Sequence, residues 1–325
     1  MNKKHRPGKE WIIMTTSIKQ LPDIEQVLSG NGACGGCPAT MALRIVGKAL
    51  GPNAIMLLTP SCSVASMGMT PKLGYNWPCI NVCFATAGSS ASGITHAIEI
   101  MKEKGRLQGE LPTVFSWVGD GGTYDIGFQA LSAAAERNDN IIHFCYNNEA
   151  YSNTGVQRSG ATPRGSFTTT TPTGKRQPKK NMALLMLEHN IPYVATATVA
   201  YPGDLYDKVV KAKNTPGMKY IEILAPCYLG WQFDMPDTVQ MSRMAVRSGA
   251  WLLWEAERGK ISFNSPSSLI MNGKKDAAPV DDYLMQQGRF NRLLQGPDAT
   301  RRIEEIQGDI DREIAFMRER AKITI

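Results

Sequence analysis

Six short apolar runs punctuate the chain between residues 54 and 225, at 54–58 (AIMLL), 79–84, 112–118 (PTVFSWV), 140–146 (NIIHFCY), 193–198 (YVATAT) and 219–225 (KYIEILA). Most of them are continuous, without polar alternation, which is the pattern of strands covered on both faces. Between them, apolar residues recur three and four apart, predicting helices at 38–50, 91–104, 124–137, 181–190 and 203–213; Pro38 stands at the first of these starts. Strand and helix in alternation predict an α/β, doubly wound, mostly parallel sheet. Two segments break the rhythm. Residues 151–180 hold Gly, Pro, Ser and many Thr with no periodicity, and a loop of that length in a compact domain is usually a lid or a binding loop. After 235 the strand signals stop, and an amphipathic helix is predicted at 298–321. The expected organisation is an N-terminal extension (1–29), a main domain (30–234) and a C-terminal helical arm (235–325) that packs on the domain or on a partner subunit.

Composition changes this picture little. At 325 residues, with 42% hydrophobic and 20% charged positions, the chain is an ordinary globular protein. No apolar run reaches the roughly 18 residues of a membrane helix, and the start MNKKHRPGKEW lacks the apolar stretch of a signal peptide. A cytoplasmic protein with no membrane association is expected. The 36 basic and 29 acidic residues leave a net charge of +7. That excess suits an acidic partner, but the basic residues are scattered and a solvated surface is the simpler expectation. The densest patch, Lys175-Arg176 with Lys179-Lys180, has no nucleic-acid motif beside it, so no nucleic-acid partner is expected.

Candidate chemistry enters with two constellations. The first is GDGGTYDIG at 119–127, closing one predicted strand and opening a helix. Gly119, Gly121 and Gly122 let a ligand approach the backbone, the following helix offers free N–H groups to an anion, and Asp120 sets a carboxylate beside it. Asn148 follows 28 residues later, one strand–helix–strand unit away, within Asn147-Asn148-Glu149. Asp120 and Asn148 therefore fall at the carboxyl edge of neighbouring parallel strands, where α/β sheets bind ligands. A carboxylate, an amide oxygen and a backbone carbonyl, completed by phosphate oxygens, make a magnesium shell. A tight turn with a capping Asp is the plainer alternative.

The second constellation uses four of the seven cysteines: Cys34 and Cys37 in CGGC, Cys62, and Cys227 in APCY. An odd count without an export signal argues against a disulfide framework and towards metal or redox chemistry. Four thiolates can hold a [4Fe–4S] cluster, although CxxC alone equally suits a redox dithiol or half a zinc site. Cys62 follows a predicted strand and Cys227 ends one, at the same sheet edge. Cys79, Cys83 and Cys145 are expected to be buried as small hydrophobes. His5, His96, His143 and His189 show no ligand spacing, and His96 is expected to be structural.

The GDGG…NN pair resembles the thiamine-diphosphate fingerprint. With CGGC, a third cysteine 25 residues on, NNEAYSNTGVQRSGATP and APC, the chain from about residue 30 onward resembles the thiamine-diphosphate-binding β subunit of the 2-oxoacid:ferredoxin oxidoreductases, nearest in pattern to the pyruvate enzymes. The resemblance implies a thiamine-diphosphate type of doubly wound sheet. It implies Cys34, Cys37, Cys62 and Cys227 as ligands of a [4Fe–4S] cluster, and Asp120, Asn148 and the carbonyl of Ala150 as the Mg²⁺ shell. It further implies that Gly119, Asp120, Gly121, Gly122, Asn148, Glu149, Ala150, Tyr151, Ser152, Asn153 and Cys62 line the thiamine diphosphate. Some members carry Glu two residues after CxxC; here that residue is Ala39. The implied reaction is oxidative decarboxylation of a 2-oxo acid to acyl-CoA, pyruvate being favoured and phenylglyoxylate, oxalate or branched-chain acids possible. The implied partners are an α-type subunit supplying the activating Glu, further iron–sulfur or γ-type subunits, coenzyme A, and ferredoxin or an NAD-reducing subunit. The alternatives are a non-redox thiamine-diphosphate decarboxylase or acyloin synthase, and an electron-transfer iron–sulfur subunit without its own catalytic cofactor.

Overall fold

A computed structural model describes residues 15–69 and 72–323; His5, with residues 1–14 of the predicted N-terminal extension, lies outside the described residues. Eight strands form one sheet: β1 (Ala54–Leu58), β2 (Cys79–Asn81), β3 (Thr113–Gly119), β4 (Ile142–Asn147), β5 (Tyr193–Thr198), β6 (Lys219–Leu224), β7 (Trp254–Glu257) and β8 (Lys260–Phe263). Their order is β2-β1-β3-β4-β6-β5-β7-β8. The first six are parallel and correspond to the six predicted runs, whereas β7 and β8 add on antiparallel beside β5. The expectation that strands end before 235 is thus corrected: the C-terminal region widens the main sheet.

Eleven α-helices are described: α1 (Pro38–Leu50), α2 (Cys62–Met67), α3 (Ala87–Glu103), α4 (Phe128–Glu136), α5 (Met182–Leu187), α6 (Pro202–Asn214), α7 (Tyr228–Trp231), α8 (Thr238–Arg247), α9 (Ser267–Met271), α10 (Val280–Met285) and α11 (Ala299–Arg320). They cover two apolar cores, one on each face of the sheet. Every residue of β4, β5 and β6 is buried, which is why these strands read as continuous runs. One core is knitted by aromatic contacts, with Trp117 stacked on Tyr146 at 5.3 Å and Trp77 edge-on to Phe115 at 5.1 Å. The terminal helix α11 buries Ile310, Ile314 and Met317 against the other core, and Arg318 donates to the carbonyls of Ile270 and Met271 at its far end. It is a component of the main body.

The strand order fixes where a ligand can sit. The chain leaves β1 towards β2 and leaves β3 towards β4, in opposite directions across the sheet, and this opens a crevice beyond the carboxyl ends of β1 and β3. The register places Gly119 opposite Tyr146 and Asn147 opposite Leu224, so Asp120, Asn148 and Ala225 leave their strands at one level.

His143 lies inside β4 with its Nδ1 2.8 Å from Ser116 Oγ and its Nε2 3.1 Å from Thr123 Oγ1. Burial pushes its pKa from 6.5 down to about 3. The unfolded chain therefore binds a proton between those pH values that the native protein does not. Stability should fall with pH through the window from 6.5 to 3 by up to ~1.4 kcal/mol per pH unit on account of this residue alone. Urea midpoints measured across that range should fall more steeply for the wild type than for His143→Asn; parallel profiles would refute the assignment.

Candidate active site

Two cavities share the carboxyl edge of the sheet. The first is walled by Pro60–Cys62, Phe84, Gly119–Gly122, Tyr146, Asn148 and residues 150–154. After β3 the chain does not enter an α-helix directly. Gly121–Ile126 forms a π-helical turn, a wide form common at functional sites, before α4 begins. A Cβ on Gly121 would lie 2.3 Å from the Tyr151 ring, and the Tyr151 hydroxyl donates to the Gly121 carbonyl at 3.0 Å. The space opened by this glycine is thus filled by Tyr151.

Asp120 is buried, and its Oδ2 accepts a 2.5 Å hydrogen bond from Ser159 Oγ. Burial pushes its carboxyl well above the usual carboxylate range, and no basic side chain among the described residues pairs with it. The amide of Asn148 meets it there. One terminal atom of that amide stands 3.1 Å from Asp120 Oδ1, 2.7 Å from the Ala150 carbonyl and 2.8 Å from Ser152 Oγ. With nitrogen inward, this atom donates to all three. With oxygen inward, Asp120, Asn148 and Ala150 present three converging acceptors, which a cation reconciles. A buried carboxylate without a counter-charge beside two neutral oxygens is a donor set suited to a hard divalent ion.

The second cavity, of about 250 Å³, is lined by all four singled-out cysteines, Cys34, Cys37, Cys62 and Cys227, with Ala39, Val156, Tyr228 and Leu229 among their neighbours. Burial pushes the Cys62 thiol up to about 12, and the charges of Cys227, Cys37 and Cys34 reinforce the shift; Cys227 is raised as well, chiefly by burial. Four thiols thus feel one another across one space. Among the described residues no three His, Cys, Asp or Glu side chains are grouped closely enough to hold a single metal ion. Cys62, Asn148, Ser152 and Asn153 line both cavities.

Other expectations change with the structure. Glu149 lines neither cavity: its side chain turns away and meets Arg289. Cys79 and Cys145 are buried, but Cys83 is exposed, contrary to the expected burial. His96 sits on α3 against Asp139 and Glu99, outside both cavities. In the basic patch of the 151–180 loop only Lys175 turns inward, while Arg176 and Lys180 are exposed and Lys179 is half-buried. Lys175 is buried with its Nζ donating to the Thr162 carbonyl, and Lys180 donates to the Tyr124 carbonyl and to Asp125. These lysines brace the loop that carries Ser159, which was not predicted as a partner of Asp120.

Sheet topology, the GDGG turn and the Asn148 turn place a ligand crevice at the switch point, and the family match identifies a thiamine-diphosphate-binding enzyme chain. Residues 62–223 match the family described as thiamine pyrophosphate enzyme, C-terminal TPP binding domain. The chain is 41% identical over 300 residues to the pyruvate synthase subunit PorB of Methanothermobacter thermautotrophicus, covering 91% of this chain and 99% of the relative. It is 40% identical over 280 residues to the ketoisovalerate oxidoreductase subunit VorB of Pyrococcus abyssi, covering 85% and 88% of the two chains. Its fold is similar, with a TM-score of 0.54 at 18% identity, to a 2-oxoglutarate:ferredoxin oxidoreductase from Magnetococcus marinus solved with 2-oxoglutarate, coenzyme A and succinyl-CoA bound, covering 71% of this chain and 84% of that one. The chain belongs to the 2-oxoacid:ferredoxin oxidoreductases, as their thiamine-diphosphate-binding β subunit. It is an oxidoreductase subunit that acts with partner subunits. Among the described residues no helix is long and apolar enough to cross a membrane.

Proposed function

We propose that this subunit carries both the cofactor site and the first electron acceptor of a coenzyme-A-acylating 2-oxoacid oxidoreductase, with pyruvate the favoured substrate. The observation that carries the proposal is the shared wall: Cys62, Asn148, Ser152 and Asn153 each face both the Asp120 cavity and the four-cysteine cavity. In this reading Asp120, Asn148 and the Ala150 carbonyl would hold Mg²⁺ beside the diphosphate of the cofactor, while Cys34, Cys37, Cys62 and Cys227 would hold a [4Fe–4S] cluster. When bound, thiamine diphosphate would supply the nucleophilic and electron-sink chemistry that decarboxylation of a 2-oxo acid needs, and a cluster would supply one-electron transfer. The chain's own residues do the positioning. Ser159 orients the Asp120 carboxylate, Asn148 sets the ion against the turn, and Tyr151 braces the Gly121 carbonyl.

Neither cavity is lined by a glutamate, and this supports an activating Glu from an α-type partner. Ferredoxin, or NAD through a further subunit, completes the electron path in this reading, and coenzyme A takes the acyl group. A non-redox decarboxylase would give four cysteines around one cavity no task.

Iron, sulfide and thiamine diphosphate released from the anaerobically purified complex test the proposal, together with turnover of a panel of 2-oxo acids. Serine at position 34, 37, 62 or 227 is expected to lower cluster content, because a hydroxyl is a poorer iron ligand than a thiolate. Serine at Cys79 or Cys83 should leave it intact. Electron paramagnetic resonance of the reduced complex reads the difference, and loss of the signal in Cys83→Ser would mean that the ligand set is wrong.

A further inference from the structure

The turn that brings Asn148 and Ala150 together is held in an unfavourable backbone conformation. Glu149, between them, has φ +62°, in the left-handed region that residues with a Cβ seldom occupy. Its backbone angles decide whether the Asn148 amide and the Ala150 carbonyl face Asp120 or diverge. Three hydrogen bonds grip the turn's main chain: Asn147 Oδ1 accepts from the Glu149 N–H at 2.9 Å, Thr162 Oγ1 donates to the Glu149 carbonyl at 2.6 Å, and Trp231 Nε1 donates to the Asn148 carbonyl at 2.8 Å.

The side chain of Glu149 is held from the far side, by a residue that sequence motifs do not reach. Arg289 Nη2 lies 2.7 Å from Glu149 Oε2, both side chains being almost wholly buried. The same guanidinium lies over the Trp231 ring, 3.6 Å from its centroid. Arg289 is fixed in turn: its Nε donates to Gln287 Oε1 at 2.9 Å, and its carbonyl accepts from the Phe167 N–H at 2.8 Å. One cation thus clamps both Glu149 and the indole that grips Asn148.

Resting on the reading that Asp120, Asn148 and Ala150 hold the cofactor's cation, we infer that Arg289 is a positioning residue for that ion. It touches neither cavity. It acts by keeping residue 149 left-handed, so that the two flanking oxygens converge on Asp120. The C-terminal region thereby takes part in cofactor binding through one ion pair.

The test uses the assembled complex, stripped with a chelator and titrated with Mg²⁺ at fixed thiamine diphosphate, with binding followed by calorimetry. Arg289→Met is expected to raise the Mg²⁺ concentration for half-saturation by about 10- to 100-fold, the usual effect of losing an outer partner of a metal ligand. Arg289→Lys keeps the charge but not the flat stack, and should shift the titration less, in the same direction. The decisive variant is the double change Arg289→Met with Glu149→Gly. Glycine adopts the left-handed conformation without strain and removes the orphaned carboxylate. Half-saturation should therefore return most of the way to the wild-type value, as a merely structural Arg289 would not allow. A double variant as weak as Arg289→Met overturns the inference, as does an unchanged titration in Arg289→Lys should Arg289→Met not fold. Wild-type complex that binds thiamine diphosphate without any need for Mg²⁺ overturns the cation site itself, and the positioning role with it.

Discussion

Asp120→Ala in the assembled complex is expected to abolish magnesium-dependent thiamine-diphosphate binding while leaving the fold in place. The carboxylate is the charged member of the proposed oxygen set, and its loss leaves only an amide and a carbonyl, both neutral, to hold a divalent ion against a diphosphate. The fold should tolerate the change, because Asp120 has no cationic partner among the described residues and burial already disfavours its charge. Removing an uncompensated buried carboxylate is often neutral or stabilising. The expected result is thus a split: cofactor occupancy falls to background while the thermal midpoint of the cofactor-free complex holds or rises. Ser159→Ala, which removes one hydrogen bond to Asp120, should weaken binding much less. Cofactor occupancy equal to wild type in Asp120→Ala would sink the assignment.

The isolated subunit, reconstituted with magnesium, thiamine diphosphate, iron and sulfide, is expected to give no coenzyme-A-dependent reduction of a viologen dye. Two glutamates lie buried near the site, and both are engaged elsewhere. Glu149 pairs with Arg289, and Glu222 accepts hydrogen bonds from Tyr124, Asn147 and Tyr220. Neither lines the Asp120 cavity or the four-cysteine cavity, so no glutamate among the described residues is placed to activate the cofactor. The cysteine cavity also opens beside exposed apolar residues: Leu229 is 59% exposed on its wall, and Met235, packed against Gly35 and Gly36, is 43% exposed. Coexpression with an α-type partner should restore turnover. Sustained reduction of the dye by the lone subunit would show that one chain contains the whole active site.

The central parallel strands were legible because their runs are buried on both faces, and β1 and β5 fall on the predicted residues; β2, with Ile80 exposed, is the exception in burial. The hairpin of β7 and β8 was not. Each strand has four residues, and the pattern of Trp254–Glu257 is disguised by Glu255, a buried carboxylate that accepts from Tyr193 and Lys211. The two-residue turn between them, Arg258-Gly259, has positive φ at both positions, but Arg-Gly is a weaker hairpin signal than Asn-Gly. In the candidate site, the meeting of Asp120, Asn148 and the four cysteines at one sheet edge was readable from spacing, since strand–helix–strand units fix where strand ends fall. Ser159, Thr162, Trp231 and Arg289 were not, because they reach the site through loops and a distant segment, and no local period reports such contacts. The direction of the Glu149 side chain was not readable either, because a left-handed residue sends its side chain away from its neighbours' line.

The wall common to the two cavities has a consequence for how this protein can vary. Cys62, Asn148, Ser152 and Asn153 each face two cavities at once, so under the proposed reading a replacement that suits one side must also suit the other. In a saturation library selected for growth on the complex, these four positions should accept fewer residue types than Phe84 or Thr154, which face only the first space, or Val156 and Leu229, which face only the second. Substrate preference can then drift through the single-facing positions, while the boundary between the two spaces stays nearly frozen.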